Sequence, residues 1–505
     1  MPRKKKIIER FLNSVEVVGN KLPHPATLFF LFAVAVLILS YIASILDWSA
    51  INPVTKEIIN PVDLLSTYGV HEILNKMVTN FTGFAPLGVV IVAMLGIGLA
   101  DSSGLIEAVL RLFVLKTPRR LLTFVLVFAG VISNLAADVG YVLLIPLAGI
   151  IFISIKRHPI VGMAAAFAGV SGGYSANLFI GTLDPLLGGL STEAARILDP
   201  AYTVLATANY YFMVVSTFLV AILGTFVTEK IIAPRFENKE YKLDHEVKVE
   251  HLSSAEKKGL VWTLIAFIIL VLIVVAGIIP TNGPLRGIDG NLLSSPLIKD
   301  SIAFIFIFFC VLGFVYGYKT GKFKTDSDVV QGITDNIKTL ATYIVLVFFA
   351  AQFIAYFKWS NLGQILAIKG ADLLVAMNVG TVPLIVGFII LAAIINLVMG
   401  SASAKWALIA PIFIPMFMQL QFSPELTQVL YRIGDSCTNL ISPMMSYFAL
   451  IIAYFQKYDE DANIGTIIST MLPYSIMFLI GWSILAIIWV MFGLPLGPGA
   501  PLFYK

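Results

Sequence analysis

Charge is what this sequence lacks most. Only 13% of its 505 residues are Asp, Glu, Lys or Arg, about half the share of an ordinary soluble chain. That scarcity excludes a water-soluble enzyme of ordinary kind, a disordered chain and a nucleic-acid binder. Cysteine is nearly absent. Cys310 and Cys437 both lie in apolar runs, and two cysteines build neither a disulfide framework nor a zinc site. Histidine is scarce too: His24, His71, His158, His245 and His251 fall in loops or flanks, which argues against a histidine proton relay. There is no Walker-type phosphate loop, so ATP-driven transport is disfavoured. The start does not read as a cleaved signal. Met1-Pro-Arg-Lys-Lys-Lys leads into a mixed helix, and the first long apolar run begins only near Ala26, so the basic start reads as a cytoplasmic anchor.

What is present is apolar. Hydrophobic residues make up 58% of the chain, and the mean hydropathy is +0.90. The net charge of +4 reads as loop bias. The class that remains is an all-α polytopic membrane protein. Crossing the hydrocarbon core takes about 20 apolar residues. Runs of that size lie at 26–46, 82–100, 204–228, 259–280, 301–318, 339–357 and 466–493. Two more, 159–182 and 424–455, are interrupted by glycine and polar residues, which brings the expected number of spans to about nine.

Two stretches read as re-entrant helical hairpins. Residues 121–154 hold two short apolar arms joined by Ser133-Asn134-Leu135-Ala136-Ala137-Asp138. Both flanks are basic, which marks one and the same side. The second stretch, about 380–420, is joined by Met399-Gly400-Ser401-Ala402-Ser403-Ala404-Lys405. It is expected to enter from the opposite side. Such irregular backbone is tolerated in a membrane only where protein or a water-filled cavity covers it. The loop at 47–80, with four acidic and two basic residues, is expected outside, and the Lys-rich loop at 229–258 inside. The amino terminus then lies in the cytoplasm.

The chain also repeats itself. Tyr141-Val-Leu-Leu-Ile-Pro146 matches Trp406-Ala-Leu-Ile-Ala-Pro411, 265 positions later, and Tyr174-Ser-Ala-Asn177 matches Ser436-Cys-Thr-Asn439, 262 positions later. Short amphipathic stretches precede both hairpins, at 102–116 and 360–377. The expected organisation is an anchor at 1–25, scaffold helices and a first repeat at 26–228, the loop at 229–258, connecting scaffold helices at 259–318, a second repeat at 339–493 and a tail at 494–505. Inverted repeats of this kind characterise secondary transporters.

Polar residues in mid-span supply the chemistry. Glycine and proline free backbone groups in each broken span, and freed carbonyls and amides hold ions. Oxygen ligands suit a hard cation such as Na⁺. One cation site is expected in each half: Asn134, Asp138 and Asn177 in the first, and Asn396, Gly400 (through its carbonyl), Asp435 and Asn439 in the second. Ser401 and Ser403 open the second hairpin arm and can hold a substrate carboxylate or cap the helix. Arg432 needs a partner, since a charge at mid-bilayer costs roughly 2.5–3.5 kcal/mol on insertion scales. Two readings stand for it: a structural pair with Asp435, or contact with an anionic substrate while Asp435 takes a cation or proton. Trp406 is either packing or a stacking surface for an aromatic ring. Lys405 is expected to snorkel or pair with an acid rather than bind ligand. Asp184 lies at the outer end of its span. A channel would need a continuous polar lining, and an intramembrane protease would need a nucleophile–base or metal constellation. Neither pattern is found.

Four motifs, Asn20-Lys-Leu-Pro-His-Pro-Ala-Thr-Leu-Phe, Ser133-Asn-Leu-Ala-Ala-Asp-Val-Gly-Tyr, Gly400-Ser-Ala-Ser-Ala-Lys-Trp and Arg432-Ile-Gly-Asp-Ser-Cys-Thr-Asn, closely resemble the AbgT family of bacterial transporters. The resemblance runs over essentially the whole chain. It implies a homodimer in the bacterial cytoplasmic membrane with nine spans and two opposed hairpins, the inverted-repeat ion-transporter fold. It implies ion-coupled transport of p-aminobenzoyl-glutamate, a small aromatic carboxylate, or efflux of sulfonamide antimetabolites. Matched to the family, the substrate path involves Asp184, Ser403, Trp406, Pro424, Arg432, Asp435 and Pro443, and the cation site Asn396, Gly400 and Asp435. Na⁺ is the expected coupling ion, with H⁺ as the alternative and no other cofactor.

Overall fold

The computed structural model describes residues 23–51, 56–115, 117–135, 140–237, 239–241, 252–280, 282–292, 295–338 and 340–504. Long uninterrupted apolar runs leave a chain few choices in lipid other than helix, because helix satisfies every backbone group within the segment. In chain order come α1 (Pro25–Ile45), a two-stranded antiparallel hairpin of β1 (Ala50–Ile51) and β2 (Ile58–Ile59), α2 (Thr67–Thr82), α3 (Ala85–Ser102) and α4 (Leu105–Leu115). Then follow α5 (Leu122–Ser133), a π turn at Gly140–Leu144, α6 (Ile145–Ser154), α7 (Pro159–Phe167), a π turn at Ala168–Gly172 and α8 (Leu183–Ala195). The middle of the chain holds α9 (Tyr210–Val227), a π turn at Thr228–Ile232, α10 (Ala233–Phe236), α11 (Ser254–Ile278), α12 (Pro296–Lys299), α13 (Ser301–Thr320) and α14 (Asp326–Lys338). The second half continues with α15 (Ala341–Trp359), α16 (Leu362–Ala376), α17 (Thr381–Val398), α18 (Ala402–Gln419), α19 (Pro424–Asn439), α20 (Phe448–Gln456) and α21 (Ile464–Met491).

Among the described residues, nine helical segments are long and apolar enough to cross a membrane. Seven coincide with the apolar runs of the sequence. The other two are α17 and α18, the arms of the expected second hairpin. The two interrupted spans divide instead. The first is helical to Gly172, irregular over 173–182 and helical again in α8. The second is helical to Asn439, irregular over 440–447 and helical again in α20. The 47–80 loop is also half helix: Ser66 caps α2 by accepting a hydrogen bond from the Gly69 amide, and Thr67–Ser102 runs on as one long apolar segment. The stretches at 102–116 and 360–377 are helices α4 and α16; α4 has a clear apolar face, whereas α16 exposes Leu373 and Val375 and is not distinctly amphipathic.

The arms of the two pairs differ in length. The 12 residues of α5 extend about 18 Å, well short of a hydrocarbon core of about 30 Å. The 18 residues of α17 and of α18 extend about 27 Å each. Residues 136–139, the tip of the first pair, lie outside the described residues, and Asp138 with them.

The repeat is visible in the contacts. Asn134, at the end of α5, donates from Nδ2 to the Gly173 carbonyl at 3.4 Å. Asn396, 262 positions later in α17, donates from Nδ2 to the Asp435 carbonyl, also 262 positions later, at 2.7 Å. Each broken span presses a glycine onto the first arm of its pair. A Cβ on Gly169 would run into the Val127 carbonyl, and one on Gly434 into the Ile389 carbonyl, the carbonyls 262 positions apart and the glycines 265. Only glycine permits so close an approach of two backbones.

The halves also interlock. Tyr141 stacks on Tyr447 of the second break with centroids 4.5 Å apart, and Trp406 donates from its indole to Ser191 of α8 at 3.0 Å. Contacts sort the loops into two groups. One joins residues 60–62, 197–202, 360–364, 421–425 and 502–504 through pairs such as Val62–Ser360, Gln364–Ile197, Tyr202–Glu425 and Ser423–Leu502. The other joins 157, 229, 235 and 469 through Arg157–Glu229 and Arg235–Ser469.

Candidate functional site

α19 is where the sequence and its burial conflict most. All 16 of its residues are buried, yet its sequence is largely polar. Gln428, Arg432, Asp435 and Asn439 recur every three or four positions and so share one face. Ser423 caps the helix by accepting from the Leu426 amide, and Pro424 occupies the first turn, where its missing N–H costs nothing. Such a stripe survives burial only if its groups find partners, and those partners come from both halves.

Arg432 donates to Asp184 at 2.6 Å and to the Ser175 carbonyl at 2.9 Å, both in or beside the first break. Its side chain is 2% exposed and that of Asp184 12%. A Ser175 amide bond to Ser436 ties the same two segments together. From Arg432 a chain of hydrogen bonds leads away: Arg432 to Asn209 at 3.4 Å, Gln428 to Asn209 at 2.9 Å, Ser191 to Gln428 at 2.7 Å, and Trp406 to Ser191. Trp406 is fully buried and stacks on Tyr431 with centroids 4.5 Å apart. Two residues expected on a substrate path, Arg432 and Trp406, are thus joined by one continuous polar chain.

The Arg432–Asp435 pair weighed from the sequence is not formed. Asp435 pairs instead with Lys405, at 2.6 Å, both side chains fully buried. Asp435 also accepts from the Tyr431 hydroxyl at 3.2 Å. Lys405 donates to Asn396 Oδ1 as well. Asn396 in turn reaches Thr438 Oγ1 and Asn439 Oδ1, each at 2.9 Å, besides the Asp435 carbonyl. Asn396, Asp435 and Asn439 therefore stand in one cluster. Gly400 sits in the turn between α17 and α18, against the Met444 carbonyl. Ser401 accepts from the Ala404 amide as a helix cap and lies 3.3 Å from Ser403.

The remaining expected residues are placed as follows. Asn177 folds back on its own chain, accepting from the Leu178 and Phe179 amides. It lines a small pocket beside Asp184 together with Phe179, Ile180, Tyr210 and Met213. Pro443 lies in the second break, one residue after Ser442, which donates to the Asn396 carbonyl. Sequence reasoning missed Asn209, Ser191, Gln428 and Tyr431. Gln428 was detectable, since it stands four positions before Arg432 on the same helical face. Asn209 carried no such signal, because its partners are more than 200 residues away in sequence.

Five buried side-chain atoms have no hydrogen-bond partner among the described residues: Asn134 Oδ1, Ser175 Oγ, Thr207 Oγ1, Arg432 Nε and Asp435 Oδ2. Each such atom costs about 1–3 kcal/mol. Three of the five, Asn134, Ser175 and Arg432, lie in or bond to the first break, and a fourth, Asp435, stands one turn beyond Arg432 on α19. Unspent donors and acceptors concentrated in one buried region mark it as the candidate site.

Among the described residues, nine apolar segments, two halves that repeat their contacts and a polar centre where the halves meet define a multi-pass helical membrane protein built around a buried polar centre. The chain belongs to the AbgT putative transporter family, whose model matches residues 10–504. It is 36% identical over 486 residues to the p-aminobenzoyl-glutamate transport protein of Escherichia coli (strain K12), covering 96% of this chain and 95% of that protein. Two solved structures share its fold. The Alcanivorax borkumensis YdaH transporter, described as having an unusual topology, is 45% identical with a TM-score of 0.91, over 94% of this chain and 100% of that one. Neisseria gonorrhoeae MtrF, described as illuminating a class of antimetabolite efflux pumps, is 48% identical with a TM-score of 0.91, over 97% of this chain and 100% of that one. The family and these relatives are transporters, not enzymes.

Proposed function

We propose that this transporter is an ion-coupled secondary carrier of p-aminobenzoyl-glutamate, or of a closely related aromatic carboxylate, in the bacterial cytoplasmic membrane. The observation that carries this reading is the buried guanidinium of Arg432, with an unpartnered Nε, linked through Asn209, Gln428 and Ser191 to the indole of Trp406. The named activity of the Escherichia coli relative supports it.

The ligand is an aryl ring with two carboxylates at one end. One carboxylate pairs with Arg432 and takes the place that Asp184 holds. A second is received by the hydroxyls and amides around Ser401 and Ser403. The ring lies toward Trp406, with Pro424 and Pro443 shaping the two ends of the path. Na⁺, or H⁺ in its place, binds at two related positions: Asn396, Gly400, Asp435 and Asn439 in the second half, and Asn134, Asp138 and Asn177 in the first. The α5–α6 and α17–α18 pairs are re-entrant hairpins that approach from opposite faces, with the amino terminus in the cytoplasm. Two copies pair as a homodimer.

Uptake of labelled p-aminobenzoyl-glutamate into proteoliposomes, with Na⁺ and H⁺ gradients imposed separately, tests this. Accumulation that follows one of the two gradients is expected; none under either gradient would refute it. Identity of 48% to MtrF favours a second reading, export of sulfonamide-type antimetabolites, whose p-aminophenyl end resembles that of the proposed substrate. Gradient-driven export of a labelled sulfonamide from the same vesicles, without movement of p-aminobenzoyl-glutamate, would select it.

A further inference from the structure

Lys405 stands where a bound cation would stand. Its ammonium lies between Asn396 Oδ1 and Asp435 Oδ1, 2.6 Å from the carboxylate. The other carboxylate oxygen, Asp435 Oδ2, is buried and unpartnered. The first half offers a comparison. Asn134 makes the bond to Gly173 that Asn396 makes to Asp435, but its Oδ1 is buried with no partner among the described residues. At the 265-residue offset that aligns the two second arms, Lys405 answers to Gly140, which has no side chain to offer. The same amide oxygen therefore meets an ammonium in one half and no such group among the described residues of the other.

We infer that the Lys405 ammonium is a tethered competitor for a monovalent cation at the Asn396–Asp435 site. This rests on the cation-coupled reading above. The buried Asp435 carboxylate needs one positive charge close by. Either the ammonium or Na⁺ supplies it, whereas both together would leave an excess charge in a low-dielectric site. Lysine is suited to leaving, because its charge rides on a flexible four-carbon stem. The exchange is one of position: the ammonium keeps its proton and no covalent bond changes. Na⁺ binds in the second half only as Lys405 swings off the two oxygens, while the Asn134 position binds its ion without that opponent. If the ammonium holds the site for all but a tenth to a hundredth of the time, apparent Na⁺ affinity there falls about 10–100-fold.

Equilibrium binding of radioactive Na⁺ to the purified full-length protein tests this, comparing wild type with Lys405→Met, which keeps the stem and removes the charge. The weaker component of the wild-type isotherm is expected to tighten at least tenfold. A folded variant with unchanged or weaker Na⁺ affinity would overturn the competition. Absence of Na⁺ binding in both proteins would overturn the competition together with Na⁺ as the coupling ion, while proton coupling is read separately by the H⁺-gradient uptake above. A second measurement uses wild type alone: acetylation of the Lys405 amine, read by peptide mass spectrometry in sodium chloride and in choline chloride. Several-fold more labelling in sodium is expected. Equal labelling under conditions where Na⁺ binding is measured would overturn the competition alone.

Discussion

Arg432 and Lys405 are buried cations in a chain that buries few, and each ends on a carboxylate from another segment. Breaking a fully buried pair by removing one partner costs about 3–5 kcal/mol, and less for Arg432 because Asp184 keeps 12% exposure. Arg432→Ala should therefore lower thermal stability and abolish uptake. The double change Arg432→Gln with Asp184→Asn should regain most of the stability without regaining uptake, which separates holding the fold from holding the substrate. Normal uptake by Arg432→Ala would remove this residue from the mechanism. Asn396→Ala or Asp435→Asn should weaken the Na⁺ dependence of uptake more than uptake at saturating Na⁺, and an unaltered Na⁺ response would count against the cation site. Trp406→Phe keeps a ring on Tyr431 and should be the milder change; Trp406→Ala also opens a cavity, typically costing about 3–5 kcal/mol. Equal losses of substrate affinity in the two variants would point to packing alone. That Arg432 and Asp435 would need buried partners was legible in the sequence, because charge stands out in an apolar run. Their partners were not. Asp184 lies 248 positions from Arg432, and nothing local decides whether Asp435 turns to Arg432 three residues away or to Lys405 across the cluster.

The elements follow hydropathy closely where runs are continuous and less closely where they are broken. Seven spans coincide because an unbroken apolar run in lipid has one good backbone solution. The interrupted spans stop at Gly172 and Asn439, where groups bond elsewhere rather than continue a helix: the Ser175 amide to Ser436 of the other half, and the Ser442 hydroxyl to the Asn396 carbonyl of the paired arm. The short helix α2 hid in a polar loop because its residues alternate with the 3.6-residue period without being apolar throughout. The crossing of each broken span over the first arm of its pair depends on one glycine. Gly434→Ala, and separately Gly169→Ala, should destabilise the protein by about 1–3 kcal/mol, because the added methyl meets a backbone carbonyl rather than a movable side chain. Thermal unfolding in detergent reads this out; melting temperatures equal to wild type would show that the two backbones do not pack this closely.

Across the whole molecule, the two halves meet through pairs that neither half contains alone: Arg432 with Asp184, Ser436 with Ser175, Trp406 with Ser191 and Tyr447 with Tyr141. The loops divide into two groups in the same order that the lysines and arginines imply for the two sides of a membrane. If the halves are antiparallel, Arg119 and Lys156 flank the first hairpin on one face, and Asn378 and Gln421 flank the second on the other. All four are exposed in the protomer. The decisive measurement is labelling of single cysteines at these four positions, in a chain with Cys310 and Cys437 replaced by serine, using a membrane-impermeant thiol reagent applied to either side of sealed vesicles. Cysteines at 119 and 156 should react only from the cytoplasmic side, and those at 378 and 421 only from the opposite side. Reaction of the two ends of either segment from different sides would give it an odd number of crossings and contradict a binding centre formed by two opposed hairpins.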